Sequence, residues 1–447
     1  MNTSPKKSIA LIGSGLAGSF LAVLLAKRGY KVDIYERLAK KEIYDTASKR
    51  SYNIVLFGYG IDMLQKAGMW NILKPHLLAL KGSVTHINKN AQPITTLLDP
   101  KKTPYFTIAR AKLAALLLEE AGKQKSVSIH YQTTLVTINR HEKTMVIHNT
   151  KTNTMKKASY DVLIGADGAN SLVRFFMQQG QETNHSQEYA TWRYRQFMLS
   201  PQTVEQLGLE KSFVHTWTHK NAFITMHPDS KQALSAMLVF PKTMQNFTSE
   251  HTVKLFFEEH FPKLLPALPE IAASILANPD GNFATIHTDP WYYKDNITII
   301  GDAAHGFYPF FGQGASAAFG DCMTLCTLLD RYQQDWSKTL PAYQEARKQH
   351  TDALGELSKE VIQKYLRYKK ADYDAVYDKL ESVLFHFLPT VVKPSLSQLI
   401  LSDPAHAADH RALDRKRKTI AKWMGVSFLV LSLTGLAAMY EGMAKRK

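Results

Sequence analysis

Residues 8–37 read SIALIGSGLAGSFLAVLLAKRGYKVDIYER. Ile9 to Ile12 form an apolar run that stops at Gly13-Ser14-Gly15-Leu16-Ala17-Gly18. An apolar stretch of helical length follows, and then KVDIYE, which ends in Glu36. The pattern predicts a βαβ unit with G-x-G-x-x-G at its first turn and an acid 23 residues beyond the first glycine. In such a unit Gly13 permits the turn, Gly15 admits a pyrophosphate, and Gly18 lets the helix pack on the strand. The helix N-terminus offers N–H groups to the phosphates, and Glu36 can accept hydrogen bonds from an adenosine ribose. The unit occurs once and Glu36 disfavours a 2′-phosphate, which leaves NAD or FAD as the bound dinucleotide.

Two distant segments bear on that choice. ASYDVLIGADGANSLVR (158–174) ends an apolar run in Asp167-Gly168, with Arg174 following. TIIGDAAHGFYPFFGQG (298–314) ends another in Gly301-Asp302 and continues through Pro309 and Gly312 to Gly314. Ala315 and Ser316 then open a helix whose first turn has almost no side chains, so backbone N–H groups lie open to a ligand. Three such motifs converge only if their strands share a sheet whose carboxyl ends cluster in one crevice. FAD is long enough to touch all three, so the reading is an FAD site.

The bulk properties narrow the class. The chain has 447 residues, 45% hydrophobic, enough for two or three structural units. Its two cysteines, Cys322 and Cys326, exclude a disulfide framework, and no Cys/His cluster has metal-ligand spacing. The net charge of +16 invites a nucleic-acid reading, but residues 411–447 alone hold nine Lys/Arg against two Asp/Glu. The remainder is spread without an arginine-rich run, so no nucleic-acid partner is expected. Within that tail, Trp423 to Tyr440 is 18 residues without a charge, flanked by basic clusters and bounded by aromatics. This predicts a C-terminal transmembrane anchor, with the catalytic body cytoplasmic because the larger basic cluster lies on its N-terminal side. The N-terminus runs almost directly into a strand, which leaves no room for a signal peptide.

The three motifs resemble the fingerprints of single-component (class A) flavin monooxygenases. SYNIVLF, VHTWTHKNAFITMHP, HFPKLLP and PFFGQG followed by F-x-D-C are similar, in order, to segments of the kynurenine 3-monooxygenases. The resemblance implies an α/β fold with a Rossmann-like FAD-binding domain of the p-hydroxybenzoate hydroxylase type and a β-sheet substrate domain. A helical C-terminal segment and an anchor complete it. The FAD-binding parts fall at 1–75, 106–175 and 296–340, the substrate parts at 76–105 and 176–295, the helical segment at 341–420 and the anchor at 423–440. The membrane would be a bacterial inner membrane or a eukaryotic outer mitochondrial membrane.

By position, the resemblance makes Gly13, Gly15, Leu16, Ala17 and Gly18 the pyrophosphate turn. Glu36 and Arg37 would hold the ribose and adenosine side, Arg110 would reach the phosphate or ribityl chain, and Leu135 would flank the adenine. Asp167 belongs to a motif linked to both FAD and NADPH. Gly301 and Asp302 would meet the ribityl–phosphate region, Pro309, Gly312 and Gly314 the flavin ring, and Ala315 and Ser316 would offer it backbone N–H groups. The implied activity is hydroxylation of a small aromatic substrate by O2 through a flavin C4a-hydroperoxide. NADPH would bind transiently as reductant, and no catalytic side chain or metal is required.

The chain departs from the family's pattern where kynurenine monooxygenases hold the substrate carboxylate with an arginine and a tyrosine. Ser83 stands at the arginine's position, with Lys81 two residues away, and no tyrosine follows before Tyr105. Val361 and Leu396 stand where an asparagine and a tyrosine are expected. A more apolar aromatic or a quinone precursor is therefore an alternative substrate, and a membrane-anchored redox-sensing flavoprotein is an alternative of another class. A halogenase lacks its W-x-W-x-I-P segment here, and an NAD dehydrogenase has no need of the two distant motifs.

Overall fold

The computed structural model describes residues 7–44, 52–86, 92–98, 105–219, 221–244, 246–366 and 395–419. Strand β1 (Ser8–Ile12), helix α1 (Leu16–Lys27) and strand β2 (Lys31–Tyr35) form the expected βαβ unit. β1 is the centre of a six-stranded sheet in which Ile297–Ile299, Val162–Gly165, β1, β2 and Val127–His130 run parallel in that spatial order. Tyr292–Tyr293 adds an antiparallel edge. Ile9–Ile12 and Val162–Gly165 are buried throughout, because α1, the helix Leu172–Gln178 and the strands around Leu135, Met145 and Ile147 pack on the sheet and leave no polar side to alternate with. α1 packs against the helices Arg110–Gly122 and Gly314–Arg331, with Phe20 and Phe319 ring centroids 4.7 Å apart. Both cysteines lie buried in this core and are free thiols.

A second sheet of seven strands has the order Gly281–Asp289, Asn184–Leu199, Leu234–Pro241, Ala222–Pro228, Phe213–His219, Gly82–His86, Ile94–Leu97. It joins strands from two distant parts of the chain, with Phe213–His219 and Gly82–His86 running parallel at the join. One face packs on the helices Glu250–His260 and Leu268–Ala277 through Phe197, Ile224, Leu238, Phe240 and Phe257. The other face meets Tyr308 and Phe310 of the loop before Gly314.

Two smaller sheets complete the described fold. Asn53–Leu56, Phe106–Ala109 and Leu78–Ala79 form one, and the meander Thr133–Asn139, Thr144–Asn149, Thr154–Ser159 forms the other. Toward the C-terminus the described residues form the helices Trp336–Leu366 and Leu396–Ser402 and a helical stretch at 407–419, and residues 367–394 of the expected helical segment lie outside the described residues. No described helix is long and apolar enough to cross a membrane, and the expected anchor at 423–440 lies outside the described residues.

Candidate active site

The ladder of the parallel sheet brings the three motifs side by side. Gly13 N–H donates to Tyr35 O (2.9 Å), Ala166 N–H to Ile12 O (2.8 Å) and Ile300 N–H to Gly165 O (2.9 Å). The strands therefore end in register, and their glycine-rich turns open on one crevice.

At the first turn, Gly13 has φ +98°, and a Cβ there would lie 2.6 Å from Ala166 O. A Cβ on Gly18 would lie 2.1 Å from Gly13 O, so this glycine is what lets α1 sit on the turn. Gly15 differs from both. A Cβ there would meet nothing within 4 Å, and no side chain caps α1. The space in front of its first N–H groups is a cradle of the kind an anionic phosphate fills.

Glu36 is 7% exposed. Its Oε2 accepts from Ser14 N–H (2.9 Å) and Ser14 Oγ (2.7 Å), and its Oε1 from Leu38 N–H (2.9 Å). The carboxylate thus locks the turn to the end of β2 and still lines its edge. Arg37 beside it is exposed, whereas Leu135 is buried in the core at the base of the meander.

At the second turn, Asp167 accepts from Ser171 Oγ (2.5 Å), Leu172 N–H (2.7 Å) and Val173 N–H (3.3 Å). Its carboxylate thereby satisfies the start of the helix Leu172–Gln178, while burial pushes its pKa up. Gly168, at φ +79°, has open space where a Cβ would be. Buried Arg174 donates to Ala303 O (2.7 Å) and Ala169 O (2.6 Å), tying the second turn to the third.

At the third turn, Gly301 (φ +59°) is wedged between Ala17 and Ala318, and Asp302 beyond it is exposed. Behind the turn lies a buried ionic triad absent from the sequence reading. Asp321, with no exposed surface, takes His305 Nε2 (2.5 Å) and Gly301 N–H (3.1 Å) on Oδ2 and Arg347 Nε (2.8 Å) on Oδ1. Burial pushes the Asp321 pKa up, but His305 and Arg347 outweigh it and hold the carboxyl below its usual range.

The loop then makes a single turn at Pro309–Phe311, passes Gly312 (φ +65°) against Phe57, and enters the helix Gly314–Arg331, which no side chain caps. Gln313 and Ser316 are fully buried, and neither the Gln313 amide nor the Ser316 hydroxyl has a partner. Unpaired buried polar groups are costly, and here they gather at a helix entrance beside the crevice. Gly314 and Ala315 are half-buried there.

Arg110 is exposed at the start of its helix, where its N–H donates to Tyr52 O (3.0 Å). The Tyr52 phenol, raised by burial, lies within electrostatic reach of both Arg110 and Asp302. Tyr194 of the second sheet, also raised by burial, is within reach of Tyr52 and Arg110. Asn53 Nδ2 reaches across to His227 O (2.9 Å), so the two sheets meet at this corner.

The cross-strand register fixes which residues face the crevice, because directly paired residues share a face. Val239 pairs with Phe223 and Tyr194, Met237 with Thr225 and Gln196, and Ser235 with His227. Thr216 pairs with Thr225 and Thr85, and Val214 with Ser83. Phe223 packs against Phe310 on this side. Trp217 and Phe213 lie on the opposite face, where the Trp217 ring stacks on His86 at 4.0 Å. Burial pushes the His227 imidazole down to about 4, leaving it neutral at pH 7. Leu396 packs into a cluster with Leu354 and Ile400 beside Ala317, and Val361 is half-buried on its helix.

The FAD binding domain family model matches residues 6–358. Kynurenine 3-monooxygenase of Legionella pneumophila (strain Corby) is 32% identical over 360 residues, 79% of each chain. The enzyme of that name from Salinispora tropica is 28% identical over 448 residues, 99% of this chain and 98% of its own. Among solved structures, tetrameric 2-methyl-3-hydroxypyridine-5-carboxylic acid oxygenase superposes with a TM-score of 0.68 at 19% identity, covering 82% of this chain and 94% of its own. A Klebsiella pneumoniae HpxO variant complexed with FAD gives 0.70 at 17% identity, covering 88% and 100%. These two likenesses establish a shared fold.

Proposed function

The chain belongs to the FAD-binding-domain family that it shares with those kynurenine 3-monooxygenases, and from that membership we propose that it is an FAD-dependent aromatic hydroxylase using NADPH and O2. The observation that carries the reading is the convergence of three strand-end turns on one crevice, with an open cradle at Gly15. Bound FAD supplies hydride acceptance and oxygen activation, so the protein need only bind, orient and exclude water.

The residues divide that work. Gly15, Leu16 and Ala17 would present N–H groups to the pyrophosphate, with Gly13 and Gly18 shaping the turn. Glu36 would hold the ribose from its position beside Ser14, and Arg37 and Leu135 would border the adenosine side. Arg110 and Asp302, on either side of Tyr52, would hold the ribityl–phosphate stretch. Pro309, Gly312 and Gly314 would border the flavin ring, and Ala315, Ser316 and Gln313 would supply it with hydrogen bonds. Asp167 would act by shaping the turn at Gly168, since its own carboxylate is spent on Ser171 and the following amides. The seven-stranded sheet would roof the ring as the substrate unit.

The uncharged segment at 423–440, with basic residues on both sides, supports membrane attachment with this body on the cytoplasmic side. The test of function is NADPH oxidation by the FAD-loaded full chain across a panel of aromatics that includes L-kynurenine. Stimulated oxidation with a product heavier by one oxygen is the expected outcome. Failure to take up FAD, or peroxide as the sole product with every aromatic, would sink the reading, and the latter would favour a redox sensor.

A further inference from the structure

The second sheet sorts its side chains by charge. Arg193 and Arg195 alternate with Trp192, Tyr194 and Gln196 along one strand, so the two cations point away from the crevice. There both are paired with Asp280, Arg193 Nη1 at 2.7 Å and Arg195 Nε at 2.5 Å, and lie against the rings of Phe240 and Phe247. The face turned to the crevice carries hydroxyls and an imidazole: Ser83, Thr85, Thr216, Thr225, Ser235 and His227. Among the described residues of the strands that share this face, none presents a lysine or arginine to it, and Lys81, which precedes Gly82–His86 on the side of Ser83, is exposed at the edge. Arg110, at the margin, stands with Asp302 and Tyr52 in the group proposed to hold the cofactor.

A carboxylate moved from water onto such a face would lose its hydration and find no countercharge among these described strand residues, which is strongly unfavourable. A neutral ring carrying an amine, hydroxyl or carbonyl would bury its apolar body and find donors and acceptors in the threonine hydroxyls. From this sorting, and resting on the oxygenase reading above, we infer that the site takes an uncharged aromatic substrate and discriminates against one bearing a carboxylate. The neutral His227 imidazole at the corner between the sheets fits the same rule.

The test uses the FAD-loaded full chain and two probes with the same aminophenyl ketone. L-Kynurenine adds an α-amino acid head, and 2-aminoacetophenone does not. Dissociation constants are read from the perturbation of the flavin's visible spectrum on titration, and hydroxylation from product mass. The neutral probe is expected to bind at least 30-fold more tightly. The half-buried Ser83 sits on the crevice face, so Ser83→Arg, checked for retained FAD, is expected to shift the ratio of the two dissociation constants at least tenfold in favour of L-kynurenine. L-Kynurenine binding as tightly as the neutral probe, or neither probe perturbing the flavin, would overturn the inference. Those results leave the oxygenase reading standing, whereas a chain that takes up no FAD, or whose FAD NADPH does not reduce, fails that reading instead.

Discussion

Asp321→Ala is expected to lose about 3–5 kcal/mol of stability, the range for breaking a buried ion pair by removing one partner. The carboxylate serves Arg347 Nε, His305 Nε2 and Gly301 N–H together, and its removal leaves a buried guanidinium without its counterion. At roughly 2–4 °C per kcal/mol, the scale of a domain of about 150–250 residues, the melting temperature should fall by about 6–20 °C. The Gly301 turn is one of the three that open on the crevice, so FAD retention through purification should fall with it. The pH dependence has a definite sign. Asp321 is held below its usual value of 3.8, so it contributes stability that is present above that value and lost as pH falls through its lower folded value. Asp321→Ala should therefore flatten the acid limb of the stability profile. A variant melting within about 2 °C of the parent would show that the triad is not a unit.

Gly15→Val should separate cofactor binding from folding. No atom lies within 4 Å of a Cβ at position 15, so the chain should fold with a stability loss of about 1 kcal/mol or less, the scale of an N-cap change. The side chain would instead occupy the space in front of the α1 N–H groups, and FAD affinity should drop at least 100-fold, about 2.7 kcal/mol. Gly18→Val makes the contrast. Its Cβ would meet Gly13 O at 2.1 Å, a backbone atom that cannot swing aside, so fold and cofactor should fail together. Thermal melting and FAD titration of the two variants check the pair. A Gly15→Val chain that keeps its FAD affinity would place the pyrophosphate elsewhere.

The βαβ unit is legible in the sequence because all its requirements lie within residues 8–37 and each has its own physical cause. The two distant motifs are legible for a similar reason: an apolar run stopping at Asp-Gly or Gly-Asp marks a strand end, and the observed ladder aligns those ends. Other features depend on partners far along the chain. Asp321 lies 16 residues from His305 and 26 from Arg347, and no short motif links the three. A histidine two residues after a strand-end Gly-Asp-Ala, with an acid inside a later apolar helix, is the only hint. Tyr52 and Tyr194 approach each other only when two sheets meet. Asp167 shows the reverse difficulty. Its motif points to a ligand, while local competition from Ser171 and the next amides takes up its carboxylate. The charge sorting of the second sheet depends on register, since a slip by one residue would turn Arg193 and Arg195 into the crevice.

Oxygen transfer at bound flavin is the step that makes this chain an aromatic hydroxylase. The most direct measurement is a single turnover: the FAD-loaded chain is reduced with NADPH under anaerobic conditions and then mixed with 18O2 and an aromatic substrate. Oxygen transfer requires bleaching of the flavin by NADPH, its return on mixing, and a hydroxylated product carrying one 18O atom. Reduction and reoxidation with all of the label recovered as hydrogen peroxide, for neutral and carboxylate-bearing aromatics alike, would contradict it.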